Sequence, residues 1–286
     1  MFIRLYIKPI IGGKRMSALT VADCQHTIDV AYRTRNLSRS SLESLRALIT
    51  GFLKWARIAG KTSLFPEGLT LPSGAATSQR GILQPDALKI LFSENNTIRY
   101  GVRQFEPYIW AYRFAVVTGF RPGEIIALQH SNINGNRYKL TGSINILGDR
   151  TNGKNDNARR SGELGAVAMH MLNQQRIYLL SHNIVSDYIF PDARDPNRPM
   201  YEKTYNRHWK RYCECHGITE GTTVYELRHT FCSINDEMPE GLKKKIMGHS
   251  KNMDTEGVYG HKKHGDDARA AAYIDKAMQQ YILKKE

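Results

Sequence analysis

PYIWAYRFAVVTGFRPGEIIALQH, residues 107–130, joins an apolar run to a charged one through a single glycine. The first part, PYIWAYRFAVVTG, reads as a strongly apolar helix that stops at Gly119, and RPGEIIALQH starts the next. Arg121 stands at the junction, where a helix end and a helix start would hold it at a fixed point. Beyond it, RYKL and SINIL alternate enough to be short strands, with Asn134-Gly135 as a turn before the first. Helical spacing precedes the junction in PDALKILF, where Pro85 suits a first turn, and returns in GAVAMHMLNQQRIYLLSH and MYEKTYNRHWKRYCECHG.

The first third is also helical. ADCQHTIDVAYRTRN is one helix candidate, stopping at Asn36. In SRSSLESLRALITGFLKWARIAG, Ser40 and Glu43 have capping-box spacing and open a second. Leu42, Leu45, Ile49, Phe52 and Ala56 recur at three- and four-residue steps, painting one apolar stripe, and Arg46, Lys54 and Arg57 stay off it. FPEGLTLPSGAATSQRG, residues 65–81, is rich in Pro, Gly, Ser and Thr and reads as a connection between domains. The expected fold class is mainly α. A small helical domain spans residues 1–70, a linker 71–81, and a larger, mostly helical domain with a small antiparallel β-sheet 82–286.

With 41% hydrophobic and 24% charged residues, a chain of 286 residues can bury a real core. Its formal charge of +14 points to a polyanion partner, nucleic acid above all, against the plainer reading of a merely basic protein. Among the first 79 residues 11 Lys and Arg face 4 Asp and Glu, and basic helices of this kind suit a phosphate backbone; Arg39, Arg46, Lys54 and Arg57 are the candidate contacts. No apolar run reaches the roughly 18 residues of a membrane helix. Four irregularly spaced cysteines make no disulfide framework, so the cytoplasm is the default. There is no P-loop, no G-x-G-x-x-G and no acidic cluster for magnesium, so no cofactor is expected. CECH (213–216) lacks a second ligand pair and His261 with His264 a third ligand, so no metal is expected either.

Four stretches line up in order: TGFRPGEIIAL (118–128), the lysine in RTNGKNDNARR (150–160), YELRHTF (225–231) and GHSKNMDTEGVYGH (248–261). Together they resemble the catalytic domain of the tyrosine recombinases, the phage-integrase family, from about residue 82 to about 265. The first domain's LSRSSLESLRALITGFLKWARIAG resembles the later part of the family's core-binding domain. Only some 37 residues precede it, so that domain is either small or truncated, and no separate arm-binding domain is expected.

The resemblance implies a site-specific recombinase that cuts DNA through a 3′-phosphotyrosine, with Tyr259 as nucleophile. A phenol with a pKa of about 10 is a poor nucleophile at neutral pH and needs cations to stabilise the transition state. Arginine, always charged and forked to match two phosphate oxygens, is the natural choice. Arg121 and Arg228 match the family's two arginines, Lys154 its hairpin lysine and general acid, and His249 the histidine of its LGH box. Arg150, Arg159 and Arg160 rival Lys154. Glu124 matches a supporting acid, with capping of the new helix the equal alternative, and His229 a supporting histidine. Where the family has His in H-x-x-R this chain has Tyr225, which can donate a hydrogen bond to phosphate but cannot shuttle a proton near neutral pH. The resemblance also implies double-stranded DNA and a homotetramer on it as partners. The tail helix, with apolar spacing at Ala272, Ile274, Ala277, Met278 and Tyr281, would pack on a neighbouring protomer; packing on its own domain is the alternative. A type IB topoisomerase and a catalytically silent DNA-binding protein of the same fold remain as rival readings.

Overall fold

The computed structural model describes residues 1–77, 81–152, 159–219, 223–248 and 265–283. The chain divides into two compact units, Met1–Gln79 and Arg80–Glu286. In the first, a π-helical turn, Ile3–Ile7, runs into the short α1, Lys8–Ile11; α2, Val21–Arg35, and α3, Arg39–Ile58, follow. A reciprocal cap opens α2: Asp23 N–H donates to Thr20 Oγ1 and Thr20 N–H to Asp23 Oδ2. Asn36, at φ 44°, closes it in the left-handed conformation that asparagine tolerates.

Two details of α3 differ from the sequence expectation. The helix begins at Arg39 with Ser38 at its N-cap, and the Arg39 N–H finds its acceptor in Ala76 O, 2.9 Å away. Ser40 therefore lies inside the first turn rather than capping it. The buried stripe is Leu42, Leu45, Ile49, Leu53 and Ala56. Phe52 is half exposed and stacks on Trp55, with ring centroids 6.0 Å apart. At 100° per residue Leu53 falls within the stripe, whereas Phe52 lies about 60° off its axis, beyond the edge. Cys24, Ile28 and Ala31 of α2 close the core of this unit.

The second unit is mainly helical with small antiparallel sheets. After α4, Pro85–Ser93, the strands β1, Asn96–Arg99, and β2, Val102–Phe105, form a hairpin that the sequence reading left unassigned. Its two turn residues, Tyr100 and Gly101, both have positive φ, the geometry that matches strand twist. The helix α5, Ile109–Thr118, is buried along its whole length and packs against helices on several sides. The five-residue α6, Pro122–Ile126, follows. Strands β3, Ile133–Asn134, β4, Arg137–Leu140, and β7, Arg160–Glu163, make a three-stranded sheet in that order, with Gly135-Asn136 as the tight turn. The expected SINIL strand shortens to β5, Ser143–Ile144, paired with β6, Arg150–Thr151.

The remaining helices are α7, Ala166–Ser181, α8, Glu202–His216, α9, Tyr225–Ile234, α10, Glu240–Met247, and α11, Asp266–Met278. Aromatic rings of α5 and α8 tie the core together: Tyr112 stacks on Tyr205 at 5.3 Å and tilts against Trp209 at 4.8 Å. At the end of α8, Cys213 belongs to this core and His216 Nε2 lies 2.8 Å from Asn96 O.

The helix α11 packs on its own unit, against α5, α7, α10 and β7. Ala270, Ala271, Ile274, Ala277 and Met278 are its buried apolar positions, and Ala272 is exposed. Its Asp275 serves as the missing N-cap of α7, which begins after a glycine: the Ala166 and Val167 N–H groups donate to the carboxylate at 2.7 and 3.0 Å. Asp275→Ala should therefore lower the free energy of unfolding by about 1–2 kcal/mol, the usual worth of an acidic cap. An unchanged midpoint in urea would remove this tie between tail and domain.

Candidate active site

The junction at 118–124 shows why this order of residues is needed. Thr118 Oγ1 donates to Phe114 O at 2.7 Å, and Gly119, at φ 64°, ends α5 where a Cβ would collide with the Phe231 ring. Phe120 is buried against the Tyr138 ring at 4.9 Å, with the Arg160 guanidinium 5.3 Å above it. Arg121 then takes an extended N-cap conformation, and Pro122, needing no hydrogen-bond acceptor, sits at the first helical position. Gly123 lets α6 approach β5, where a side chain would strike Ser143 and Ile144.

Glu124 lies at the centre of the site with a side chain only 1% exposed. Its Oε2 accepts the Arg121 N–H at 2.8 Å and its Oε1 accepts Arg121 Nη1 at 2.8 Å, so it both caps α6 and orients the arginine. Arg160 grips the same carboxylate with two nitrogens, at 2.8 and 2.9 Å. Burial by itself would raise this carboxyl; hydrogen bonds and charge from Arg160, then from Arg121, outweigh it and hold the pKa below the ordinary value.

Three arginines converge on three consecutive carbonyls at the end of α10. Arg160 Nε donates to Ile246 O at 2.5 Å, Arg228 Nη2 to Met247 O at 2.7 Å, and Arg121 Nη2 to Gly248 O at 2.8 Å. The last carbonyls of a helix lack intrahelical partners and carry partial negative charge, so cations fit there. Arg228 is 2% exposed and gives its other terminal nitrogen to Gly119 O at 2.6 Å, a second helix end. Its partners within the chain are thus two backbone carbonyls. Burial, with Arg121 alongside, pulls its pKa down to about 10, which leaves it charged at neutral pH.

Tyr225 lies one turn before Arg228 on α9 and is 43% exposed, its ring 5.1 Å from that of His229. It borders an open cavity of about 440 Å³ together with Pro122, Arg207 and Lys210. In the first unit, Arg39, Arg46 and Arg57 fall within about 20° of one another around α3, with Lys54 about 60° away. Arg46 donates to Leu69 O at 3.3 Å and Arg57 lies 4.1 Å over the Phe65 ring, whereas Arg39 and Lys54 are exposed.

The structure thus brings together Arg121, Glu124, Arg228, Tyr225 and His229. Lys154, His249 and Tyr259 lie outside the described residues; Gly248, which Arg121 holds, directly precedes His249 in the chain. Arg160 is bound into the site as the second partner of Glu124. The sequence names it only as a rival to Lys154; its place here comes from the pairing of β7 with β4. Arg207 and Lys210 escaped notice because RHWK looks like any solvated helix face.

Residues 88–265 match the model of the phage integrase family. The chain belongs to that family. No curated protein matches it. Among solved structures it is similar to the Tn1549 transposon integrase in complex with transposon right-end DNA, at 17% identity and a TM-score of 0.72 over 96% of this chain and 90% of that one. The same integrase with a circular-intermediate DNA gives 16% and 0.73 over 95% and 90%. A lambda integrase dimer bound to a COC′ core site gives 16% and 0.63 over 91% and 86%. The fold is that of these integrases.

Removing one partner of a buried ion pair strands the others, so Glu124→Gln should cost about 3–5 kcal/mol at neutral pH. The folded carboxyl titrates below its unfolded value. Its contribution is therefore complete above about pH 4.3–4.5 and is lost as pH falls through the lower folded value. Urea denaturation from pH 7 to 3 should show a shallower acid limb in the variant; parallel curves would contradict this assignment.

Proposed function

We propose that the chain is a site-specific DNA recombinase that cleaves and rejoins strands through a 3′-phosphotyrosine intermediate. The observation that carries this reading is the convergence of Arg121 and Arg228, from motifs about a hundred residues apart, on the helix end that leads into GHSKNMDTEGVYGH. Three guanidiniums gather there around a single carboxylate, which pairs with two of them, leaving a surplus of positive charge suited to an anionic phosphodiester. Tyr259 attacks the scissile phosphorus, the bond to the 5′-oxygen breaks, and Lys154 protonates the leaving oxygen. In resealing, the 5′-hydroxyl of a strand attacks and the tyrosine leaves. Arg121 and Arg228 stabilise the charge on the non-bridging oxygens, His249 and Tyr225 donate hydrogen bonds to it, and Glu124 and His229 support them.

Double-stranded DNA is the partner, bound by the catalytic unit and by the helical first unit, which acts as a core-type DNA-binding domain. The Tn1549 and lambda integrases in DNA complexes support this, and a lambda integrase tetramer bound to a Holliday junction (TM-score 0.61, 15% identity) supports a tetramer on DNA. No described helix is long and apolar enough to cross a membrane; the cytoplasm is the proposed place of action. The exposed Tyr225 in place of the family histidine favours a second reading, a DNA-binding protein with weakened or absent chemistry.

Covalent trapping on a nicked suicide duplex decides between them. Wild type should form an adduct that maps to the peptide containing NMDTEGVYGH and persists in EDTA. Tyr259→Phe should bind DNA yet form none. Arg121→Ala should lose trapping by a factor of about 100–1000, the usual cost of one transition-state donor. Tyr225→Phe should be milder and Tyr225→His faster than wild type. An adduct on Tyr225, trapping by Tyr259→Phe, or dependence on magnesium overturns the mechanism. The absence of any adduct from wild type selects the silent reading.

DNA affinity should also fall steeply with salt, because neutralising several phosphates releases counterions. The +14 charge makes this expectation strong. A flat dependence between about 50 and about 200 mM salt would contradict a phosphate clamp.

A further inference from the structure

A second cationic cavity, of about 380 Å³, lies between the β1–β2 hairpin, α8 and the loop at 192–194. Thr97 and Arg99 of β1, Arg207 and Arg211 of α8, and Arg194 of the loop contribute to its wall. The volume is within the range of small-molecule sites, whose polar groups are few and convergent.

Three polar atoms in this wall are buried without a hydrogen-bond partner: Thr97 Oγ1, Arg99 Nε and Arg211 Nη1. Thr97 itself is 2% exposed. Buried polar groups are almost always satisfied, and leaving a charged donor unsatisfied is costly. Here a hydroxyl and two guanidiniums share the same defect and belong to residues that line the same space.

The charges of the wall fix the kind of anion. Four guanidiniums face two carboxylates, Glu106 and Asp192. Both acids are already engaged. Glu106 Oε1 accepts the Tyr108 N–H at 3.2 Å and the Tyr112 hydroxyl at 3.4 Å, and lies 3.1 Å from His208 Nδ1. Asp192 Oδ1 accepts the Arg194 and Asp195 N–H groups at 2.9 and 3.3 Å. The surplus of two positive charges matches a dianion better than a single carboxylate. Guanidinium forks and a hydroxyl together match the tetrahedral oxygens of phosphate.

We propose that this cavity is a seat for a compact phosphate dianion, separate from the recombinase site. The anion is either free inorganic phosphate or the terminal phosphate of a small phosphomonoester. A backbone phosphodiester of duplex DNA carries one charge and is flanked on both sides by sugars, so it fits these buried donors poorly. The Phe105–Tyr178 pair, stacked at 4.8 Å on the cavity wall, offers an apolar surface for the organic part of a monoester.

The test uses the full chain without DNA, titrated calorimetrically with inorganic phosphate and with adenosine 5′-monophosphate at constant ionic strength. Saturable one-to-one binding is expected. Arg211→Gln, which removes a guanidinium and its charge, and Thr97→Val, which removes one buried hydroxyl with little change of volume, should each weaken it by roughly tenfold or more. Arg207 is left alone because it also borders the Tyr225 cavity. Both variants should bind a target duplex within about twofold of wild type, since neither removed donor faces a DNA phosphate. Tighter binding of the nucleotide assigns a monoester; phosphate binding at least as tight assigns the free ion. No saturable binding of either below about 10 mM (well above ordinary ligand affinities), or equal binding by the variants, overturns the proposal. So does loss of duplex affinity in Arg211→Gln with a reduced salt slope, which would give this arginine to the DNA backbone.

Discussion

A helix end held by cations is the interaction on which the catalytic unit depends. The carbonyls of Ile246, Met247 and Gly248 each accept from a different arginine, and those arginines come from the α5–α6 junction, from β7 and from α9. Glu124 joins two of the three through both of its oxygens. Each guanidinium on its own would be costly to bury; together they share one carboxylate and the negative end of a helix, which carries roughly half a charge. The arrangement therefore stays positive overall while satisfying the buried donors it uses. It also ties the start of the chain's last polar segment to a junction 127 residues away in sequence.

Position on α8 extends the same charge outward. One edge of the helix buries Tyr205, Trp209 and Tyr212 in the core, and its cations emerge on both sides. Arg207 and Lys210 border the cavity at Tyr225, while Arg207 and Arg211 border the one at Thr97. A chain of charge +14 is thus not uniformly basic. Its arginines gather in places where neighbouring acids are already engaged, by His208 and Tyr112 for Glu106 and by Arg121 and Arg160 for Glu124.

What the sequence made legible follows the range of the interactions involved. Helix stops at Asn36 and Gly119 could be read because left-handed geometry restricts the residue locally. The pairing of Glu124 with Arg121 could be read because it spans three residues. Phe52 was misplaced because a three- and four-residue stripe admits either neighbour until a second helix chooses, and α2 chose Leu53. The Tyr100–Gly101 hairpin was missed because its strands are only four residues each and β2 is largely exposed, giving no alternation to follow. Arg160 stands in the sequence only as a rival to Lys154, and its supporting role gives no local signal, since its partners lie 36 and 86 residues away. Sequence spacing finds arginines that sit in motifs; it does not find the one that holds them in place.

The choice of arginine at 228 follows from the same burial. Desolvation, with Arg121 nearby, pulls that guanidinium from 12.5 to about 10, so it keeps its proton at neutral pH with ample margin. A lysine starts near 10.4, and a comparable penalty would bring it to about 8, where a measurable fraction is neutral. It would also present a single point charge, where Gly119 O and Met247 O at two different helix ends each require their own donor. The fork spans both carbonyls and still remains a cation. A buried position that must be charged, bridge two helix ends and face a neighbouring cation can therefore be filled by arginine and not by the shorter-ranged chemistry of lysine.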